Sequence, residues 1–245
     1  MKRLWRTWIF VASLTALAAC GDSDNNGSGP GVATQPATFS VRPGVEQVTV
    51  TNAPPKTTLV LVDARGKRLL GLVTDEFGQA SFAYIPDRYL VVETGRAATI
   101  PTNQGRTLKR GTYTVRNESV TPIEVSAPFM VLGRDDLPPR SLYDSQVLNA
   151  GFNYIETRDG VKLSATVRFP TSVAPPYPTV IEYSGYSPSN PDAPEPGSMI
   201  AQLLGYATVG VNMRGTGCSG GVFDIFNPAQ QADGYDIVEA VARQP

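Results

Sequence analysis

Thr179-Val180-Ile181-Glu182-Tyr183 is the stretch on which the fold turns. It is dominated by β-branched and aromatic side chains, and Pro175-Pro176-Tyr177-Pro178 stands directly before it, so it reads as a short strand of the buried type. Residues 198–204 follow as a short helix stopped by Gly205, and residues 206–211 as a second buried strand. Asn227 then caps a further helix with Pro228 at its first position, and Tyr235, Val238, Val241 and Ala242 are expected to mark its apolar face. Strand, helix, strand, helix in this order predicts a parallel sheet. Just upstream, residues 152–157 and 161–169 alternate around Arg158-Asp159-Gly160, the signal of a β-hairpin.

Residues 38–126 have a different texture, with strands and turns and almost no helical periodicity. Residues 46–51 alternate so that Val48 and Val50 share a face, and 58–63 form a strongly apolar strand with its turn at 64–67. Strands are also expected at 69–74, at 79–85 with Ala80, Phe82 and Tyr84 on one side, and at 88–93, 111–116 and 122–125. Short strands punctuated by glycine and proline suggest a small β-sandwich of the immunoglobulin-like sort. The expected organisation is a β-sandwich-like module over 38–127, a joint over 128–149 that contains Leu137-Pro138-Pro139, and an α/β region over 150–245.

The first residues read as a targeting segment. Lys2, Arg3 and Arg6 form a positive region, Trp8 to Ala16 an apolar stretch too short to span a bilayer comfortably, and Leu17-Ala18-Ala19-Cys20 closes it. That ending resembles a bacterial lipobox, which implies a signal peptide over 1–19, cleavage before Cys20 and a lipid on its thiol. A lipid-tethered chain is then expected on the periplasmic or cell-surface side of a membrane. Residues 20–37 are rich in Gly, Asp, Asn and Ser and read as a flexible linker. Asp22, Asp24, Asn26 and Gly27 match the opening of a calcium loop, but Ala33 stands where its closing glutamate belongs. Without the three basic residues of the signal the formal charge moves from −1 to −4, which offers nothing to attract nucleic acid. With Cys20 acylated only Cys218 remains, so no intrachain disulfide is expected.

Several ordered motifs then point to one family. Thr157-Arg158-Asp159-Gly160-Val161-Lys162-Leu163, Tyr183-Ser184-Gly185-Tyr186, Arg214-Gly215-Thr216-Gly217-Cys218-Ser219-Gly220-Gly221, Asp233-Gly234-Tyr235-Asp236 and Gln244-Pro245 together resemble the X-Pro dipeptidyl-peptidase and cocaine-esterase-like α/β-hydrolases. The resemblance implies acyl transfer from a small ester or peptide substrate to a serine and then to water, with no cofactor or metal. It implies that the nucleophile on its G-x-S-x-G elbow, the acid and the histidine come after the Gln-Pro, so the chain as given is expected to be catalytically incomplete. It also matches Tyr186 to the tyrosine whose hydroxyl helps to form the oxyanion hole. One departure concerns the packing of the arginine loop: the family usually has an acidic residue two positions before Arg214, where this chain has Asn212.

Two motif matches are rejected on chemistry. Gly217-Cys218-Ser219-Gly220-Gly221 satisfies G-x-S-x-G, but no helix starts until Asn227 and the chain contains no histidine to act as base. Ser219 is therefore expected to be structural, as are Arg214, held in an ion pair, and the glycines Gly215, Gly217 and Gly220 of a tight loop. Gly215 to Gly220 also fits G-x-G-x-x-G, but a dinucleotide site needs a helix opening at those glycines and an acid ending the next strand. Asp233 and Asp236 are expected on a helix instead.

The whole reading is an N-terminal β-sandwich-like module followed by the first strands and helices of an incomplete α/β-hydrolase sheet. Its alternative is a surface lipoprotein whose β-sandwich binds a ligand, with a vestigial hydrolase segment. The lipobox has a direct test. Cells expressing the chain are expected to incorporate labelled palmitate into it, and Cys20→Ala to abolish the label; label that persists in the variant refutes the assignment.

Overall fold

The computed structural model describes residues 33–84, 107–224 and 227–244, which lie in one compact unit. The lipobox with Cys20, the linker up to residue 32 and the strand expected at 88–93 lie outside the described residues. Among the described residues the first nine strands are β1 (Thr34–Pro36), β2 (Ser40–Pro43), β3 (Val48–Thr51), β4 (Thr58–Asp63), β5 (Arg68–Val73), β6 (Ala80–Phe82), β7 (Gly111–Asn117), β8 (Ile123–Val125) and β9 (Phe129–Val131). One sheet runs β1-β8-β7-β4-β5, with β9 paired to the start of β7, and a second runs β2-β3-β6.

The turns are built as their residues dictate. Between β4 and β5 the Asp63 carboxylate accepts the backbone N–H groups of Arg65 and Lys67, both at 2.9 Å, while Gly66 takes a positive φ of 79°. Val48 and Val50 of β3 and Phe82 of β6 meet Leu59, Leu61, Val115 and Val131 of the larger sheet in one apolar cluster. Burial of each such side chain stabilises the fold by about 1.5–3 kcal/mol. Val60 and Val62 are buried too, so β4 is covered on both faces.

Three expectations in this part need correction. Thr34–Pro36, placed at the end of the flexible linker 20–37, instead pairs in parallel with Ile123–Val125. Backbone hydrogen bonding at the free edge of β8 decides this, not side-chain pattern, since all three residues are exposed. Tyr84 does not join Ala80 and Phe82 on the buried side, because β6 stops at Phe82 and the tyrosine is half-exposed. The joint 128–149 is not merely a connector, since it contributes β9 to the larger sheet and a short helix, α1 (Ser141–Asp144).

The remaining elements are β10 (Gly151–Glu156), β11 (Lys162–Arg168), β12 (Thr179–Ser184), α2 (Pro196–Leu203), β13 (Ala207–Asn212) and α3 (Pro228–Ala242). They form a mixed sheet of order β10-β11-β13-β12, in which β12 and β13 are parallel and the hairpin strands antiparallel. All six residues of β13 are buried, as expected of a central strand. Asn227 caps α3 by accepting the Gln230 N–H at 2.8 Å, with Pro228 in the first turn.

The face that α3 buries differs from the expected one. Tyr235 and Val238 are 44% and 52% exposed, whereas Ala229, Ala232, Asp233, Asp236, Ile237 and Ala240 are buried. These positions repeat at helical spacing, but apart from Ile237 they are small or acidic, so hydropathy alone selects the wrong stripe. The two aspartates are inside because buried arginines meet them.

Among the described residues β12 pairs only with β13, which leaves its other side an open edge flanked by half-exposed Val180 and by exposed Ile200 and Leu204. A hydrophobic open edge is a template for intermolecular pairing. The purified chain is expected to self-associate through β12, and Val180→Lys to reduce light scattering at equal concentration. Scattering unchanged by this charge, with the fold intact by circular dichroism, excludes the edge as the cause.

Candidate functional site

The loops that carry the expected site residues leave the C-terminal ends of the parallel strands β12 and β13, and a buried charge network holds the second of them in place. Arg214 follows β13, and its guanidinium lies between two acids. Nε donates to Asp233 Oδ2 at 2.7 Å and Nη2 to Asp233 Oδ1 at 2.5 Å, a bidentate pair with α3. Nη1 and Nη2 also reach Asp159 in the β10–β11 turn at 3.0 and 3.3 Å. The side chains of all three residues are at most 3% exposed. Taking such charges out of water costs several kcal/mol each, which only close mutual pairing offsets.

The two acids respond differently to sharing one cation. At Asp159 burial works against ionisation, but the charge of Arg214 and hydrogen bonds from Arg214, Thr157 and the Val161 N–H outweigh it and hold the carboxyl below its ordinary value. At Asp233 burial prevails over Arg214, the carboxylates of Asp159 and Asp236 add to it, and the group is pushed up to about 6. The Tyr183 hydroxyl rests on the Gln230 carbonyl and beside Asp233, at 3.2 and 3.4 Å, and its own ionisation is pushed up mainly by burial.

A second buried pair lies alongside. Arg158 Nη2 donates to Asp236 Oδ1 at 2.8 Å, and the Tyr143 hydroxyl donates to the same oxygen at 2.6 Å. The guanidinium also donates to the carbonyls of Arg134 and Asp136, at 2.9 and 2.8 Å, and lies 5.4 Å from the Tyr235 ring centroid. The two networks abut the strand-rich region. Val45 and Leu132 pack on Ala229 and Ala232 of α3, and a Cβ placed on Gly44 would come within 2.9 Å of Asp159 Oδ2.

The Arg214 loop is folded back on the sheet. Gly215 has a positive φ of 72°, and a Cβ there would sit 2.1 Å from the Phe223 nitrogen. Gly220 donates to the Lys162 carbonyl at 2.9 Å and accepts from the Gly215 N–H at 2.8 Å. Ser219 Oγ donates to the Asn212 carbonyl at 2.8 Å and accepts the Ser164 N–H at 2.9 Å. These bonds tie the loop to β13 and β11. Cys218 is exposed on the same loop.

Tyr186 sits in the loop after β12 with its side chain pointing outward, 86% exposed. Its backbone is fixed at both ends, the N–H donating to Ser184 Oγ at 3.3 Å and the carbonyl accepting from Asn212 Nδ2 at 3.1 Å. Asn212 was noted in the sequence only as a departure, and Ser189 and Ser164 were not noted at all. They carry no motif, and it is the meeting of β11, β13 and the loop after β12 that brings them together. No cluster of three or more His, Cys, Asp or Glu that can hold a metal exists among the described residues.

This geometry coincides with a family segment. Residues 159–245 match the X-Pro dipeptidyl-peptidase (S15) family. The match opens on Asp159 and contains Tyr186, Arg214 and Asp233, so the buried ion network, apart from the Arg158 pair's first member and Tyr143, lies inside it. Two solved structures are similar. A CocE/NonD family hydrolase from Staphylococcus aureus has 22% identity and a TM-score of 0.31 over 38% of this chain and 23% of its own. An aminopeptidase from the marine sediment archaeon Thaumarchaeota archaeon has 19% identity and a TM-score of 0.32 over 44% of this chain and 20% of its own. The chain thus spans less than a quarter of the length of either. Among curated proteins none matches.

Asp233 gives the network a pH signature. Its ordinary value is 3.8 and its folded value about 6, so between these the folded state holds a proton that the unfolded chain has released. Its contribution to stability is present at the acid end and is lost as pH rises through about 6. In urea unfolding, the stability of Asp233→Asn relative to wild type is expected to improve steadily from about pH 4 to about pH 6 and then level off. A flat or opposite difference contradicts the arrangement.

Proposed function

We propose that this chain is the N-terminal portion of an exported serine hydrolase of the X-Pro dipeptidyl-peptidase and cocaine-esterase type. The family match over residues 159–245 carries the reading. The placement of Tyr186 supports it, because ligands of open α/β sheets bind beyond the carboxyl ends of the parallel strands, where this loop lies. The reaction is hydrolysis of an ester or an X-Pro amide: a serine attacks the carbonyl carbon, the leaving group departs, and water releases the acyl group. In this reading the Tyr186 hydroxyl donates to the oxyanion that develops on the carbonyl. One such oriented donor lowers the barrier by about 3 kcal/mol.

The nucleophile, acid and base come, in this reading, from parts of the hydrolase other than these residues. The given sequence has no histidine, and Ser219 Oγ already donates its proton to the Asn212 carbonyl. The strand-rich region is read as a β-sandwich-like module, since its two sheets share one apolar cluster, and it stands between a lipid on Cys20 and the hydrolase. In this reading the lipid holds the enzyme on the outer side of a membrane, where it acts on small substrates.

The test is to read the coding DNA past the codon for Pro245 and express the whole frame. A G-x-S-x-G elbow and a later histidine are expected, and a stop codon at that point overturns the enzyme reading. In the expressed hydrolase, Tyr186→Phe is expected to lower kcat on aryl esters or X-Pro anilides roughly 100-fold with KM little changed. An unchanged kcat removes Tyr186 from the oxyanion site.

A further inference from the structure

Asn212 is the last residue of β13, 1% exposed, and every polar valence of its side chain is engaged. Oδ1 accepts the Ser189 N–H at 3.1 Å and the Ser189 hydroxyl at 2.6 Å. Nδ2 donates to the Tyr186 carbonyl at 3.1 Å and to Thr216 Oγ1 at 3.2 Å. We propose that Asn212 is a positioning residue that latches the 185–190 loop and so sets the place of Tyr186, an inference that rests on the oxyanion reading above.

The rest of the loop's attachment shows why the latch matters. Ser189 is held at three atoms: by Asn212 at its N–H and hydroxyl, and at its carbonyl by Thr166 Oγ1 at 2.5 Å. Its hydroxyl also meets Ser164 Oγ at 2.9 Å. Pro188 lies directly on β13, where a Cβ on Gly210 would be 2.0 Å from the Pro188 oxygen. The far end of the loop is thus fastened to the sheet several times over. Near Tyr186 the cross-sheet tie is the Asn212 amide on its carbonyl, while the side chain is largely exposed. The place from which the ring projects is therefore set through the backbone. Room for the amide is itself built in: Gly217 has a φ of 53°, and a Cβ there would lie 2.6 Å from Asn212 Nδ2.

Asparagine is suited to this position because it is an acceptor on one edge and a donor on the other. An aspartate of the same shape keeps both bonds from Ser189, but it turns a negative oxygen toward the Tyr186 carbonyl and has no donor to offer. When protonated it regains one donor. All the hydrogen-bond partners of Asn212 are uncharged, and the nearby Arg214 guanidinium is committed to Asp159 and Asp233. A carboxyl placed here therefore meets no counter-ion.

The experiment follows the backbone amide resonances of Tyr186, Ser187, Ser189 and Asn190 in the whole chain. At pH 7, Asn212→Asp is expected to shift or broaden them, and acidification through the titration of the new carboxyl to return them toward the wild-type positions. Thr216→Val removes the other acceptor of the same amide but leaves the latch, and it is expected to leave these resonances in place. Loop resonances in Asn212→Asp that match wild type at pH 7, that do not recover on acidification, or that move equally in Thr216→Val each overturn the latch. In the expressed hydrolase Asn212→Ala, which removes the donor and the acceptor together, is expected to lower kcat roughly tenfold with KM little changed. If the resonances respond as expected while Tyr186→Phe leaves turnover unchanged, the oxyanion reading fails and the latch stands as a loop anchor only.

Discussion

One buried arginine shared by two aspartates is the constraint on which the described structure depends. Arg214 reaches the β10–β11 turn through Asp159 and α3 through Asp233, and it does so from the loop that follows the central strand β13. Three segments far apart in sequence are thereby fixed to one point. Removing one member of such a buried set leaves an uncompensated charge and costs about 3–5 kcal/mol, far more than an exposed pair is worth. Surface pairs such as Lys56 with Glu76 and Arg134 with Asp135 are of the exposed kind and decide nothing comparable.

The same constraint explains the unusual composition of α3. A helix packed on a sheet ordinarily presents Val, Leu or Ile, yet α3 presents alanines, one isoleucine and two aspartates. Small residues let the helix approach closely enough for Asp233 and Asp236 to grip Arg214 and Arg158. Arg158 in turn ties the helix to carbonyls of residues 134 and 136, and Gly44 packs on Asp159, so the strand-rich region and the mixed sheet share one polar seam. A side chain on Gly44 has no space there.

Beyond that seam, serine and asparagine side chains organise the loops where charge is absent. Asn212, Ser164, Ser189 and Ser219 form a connected set of hydroxyl and amide contacts between β11, β13 and the two loops. Each buried polar atom in this set has a partner, which is what makes it stabilising instead of costly. Ser219 shows how a motif match is undone by surroundings. A hydroxyl whose proton is given to a backbone carbonyl, on a loop with no base near it, is a structural tie.

Much of the element order was legible in the sequence because hydropathy period and turn residues are local properties. β4 was expected at its observed residues, β12 within one residue of its end, and the Asn227-Pro228 start of α3 as it stands. Arg214 was expected as an ion-pair partner on a tight glycine loop, with its acids unnamed. What the sequence by itself determined was therefore the order of strands and helices, their turns and caps, and the match of residues 159–245 to the X-Pro dipeptidyl-peptidase family. Only the tertiary structure decided which face of α3 is inside, that Thr34–Pro36 extends a sheet, which acids hold Arg214, and that Asn212 reaches Tyr186. Those outcomes depend on strand register and helix approach between segments 19 to 89 residues apart. A polar side chain is buried only where such an approach brings its partner, and no local pattern in the chain encodes that meeting.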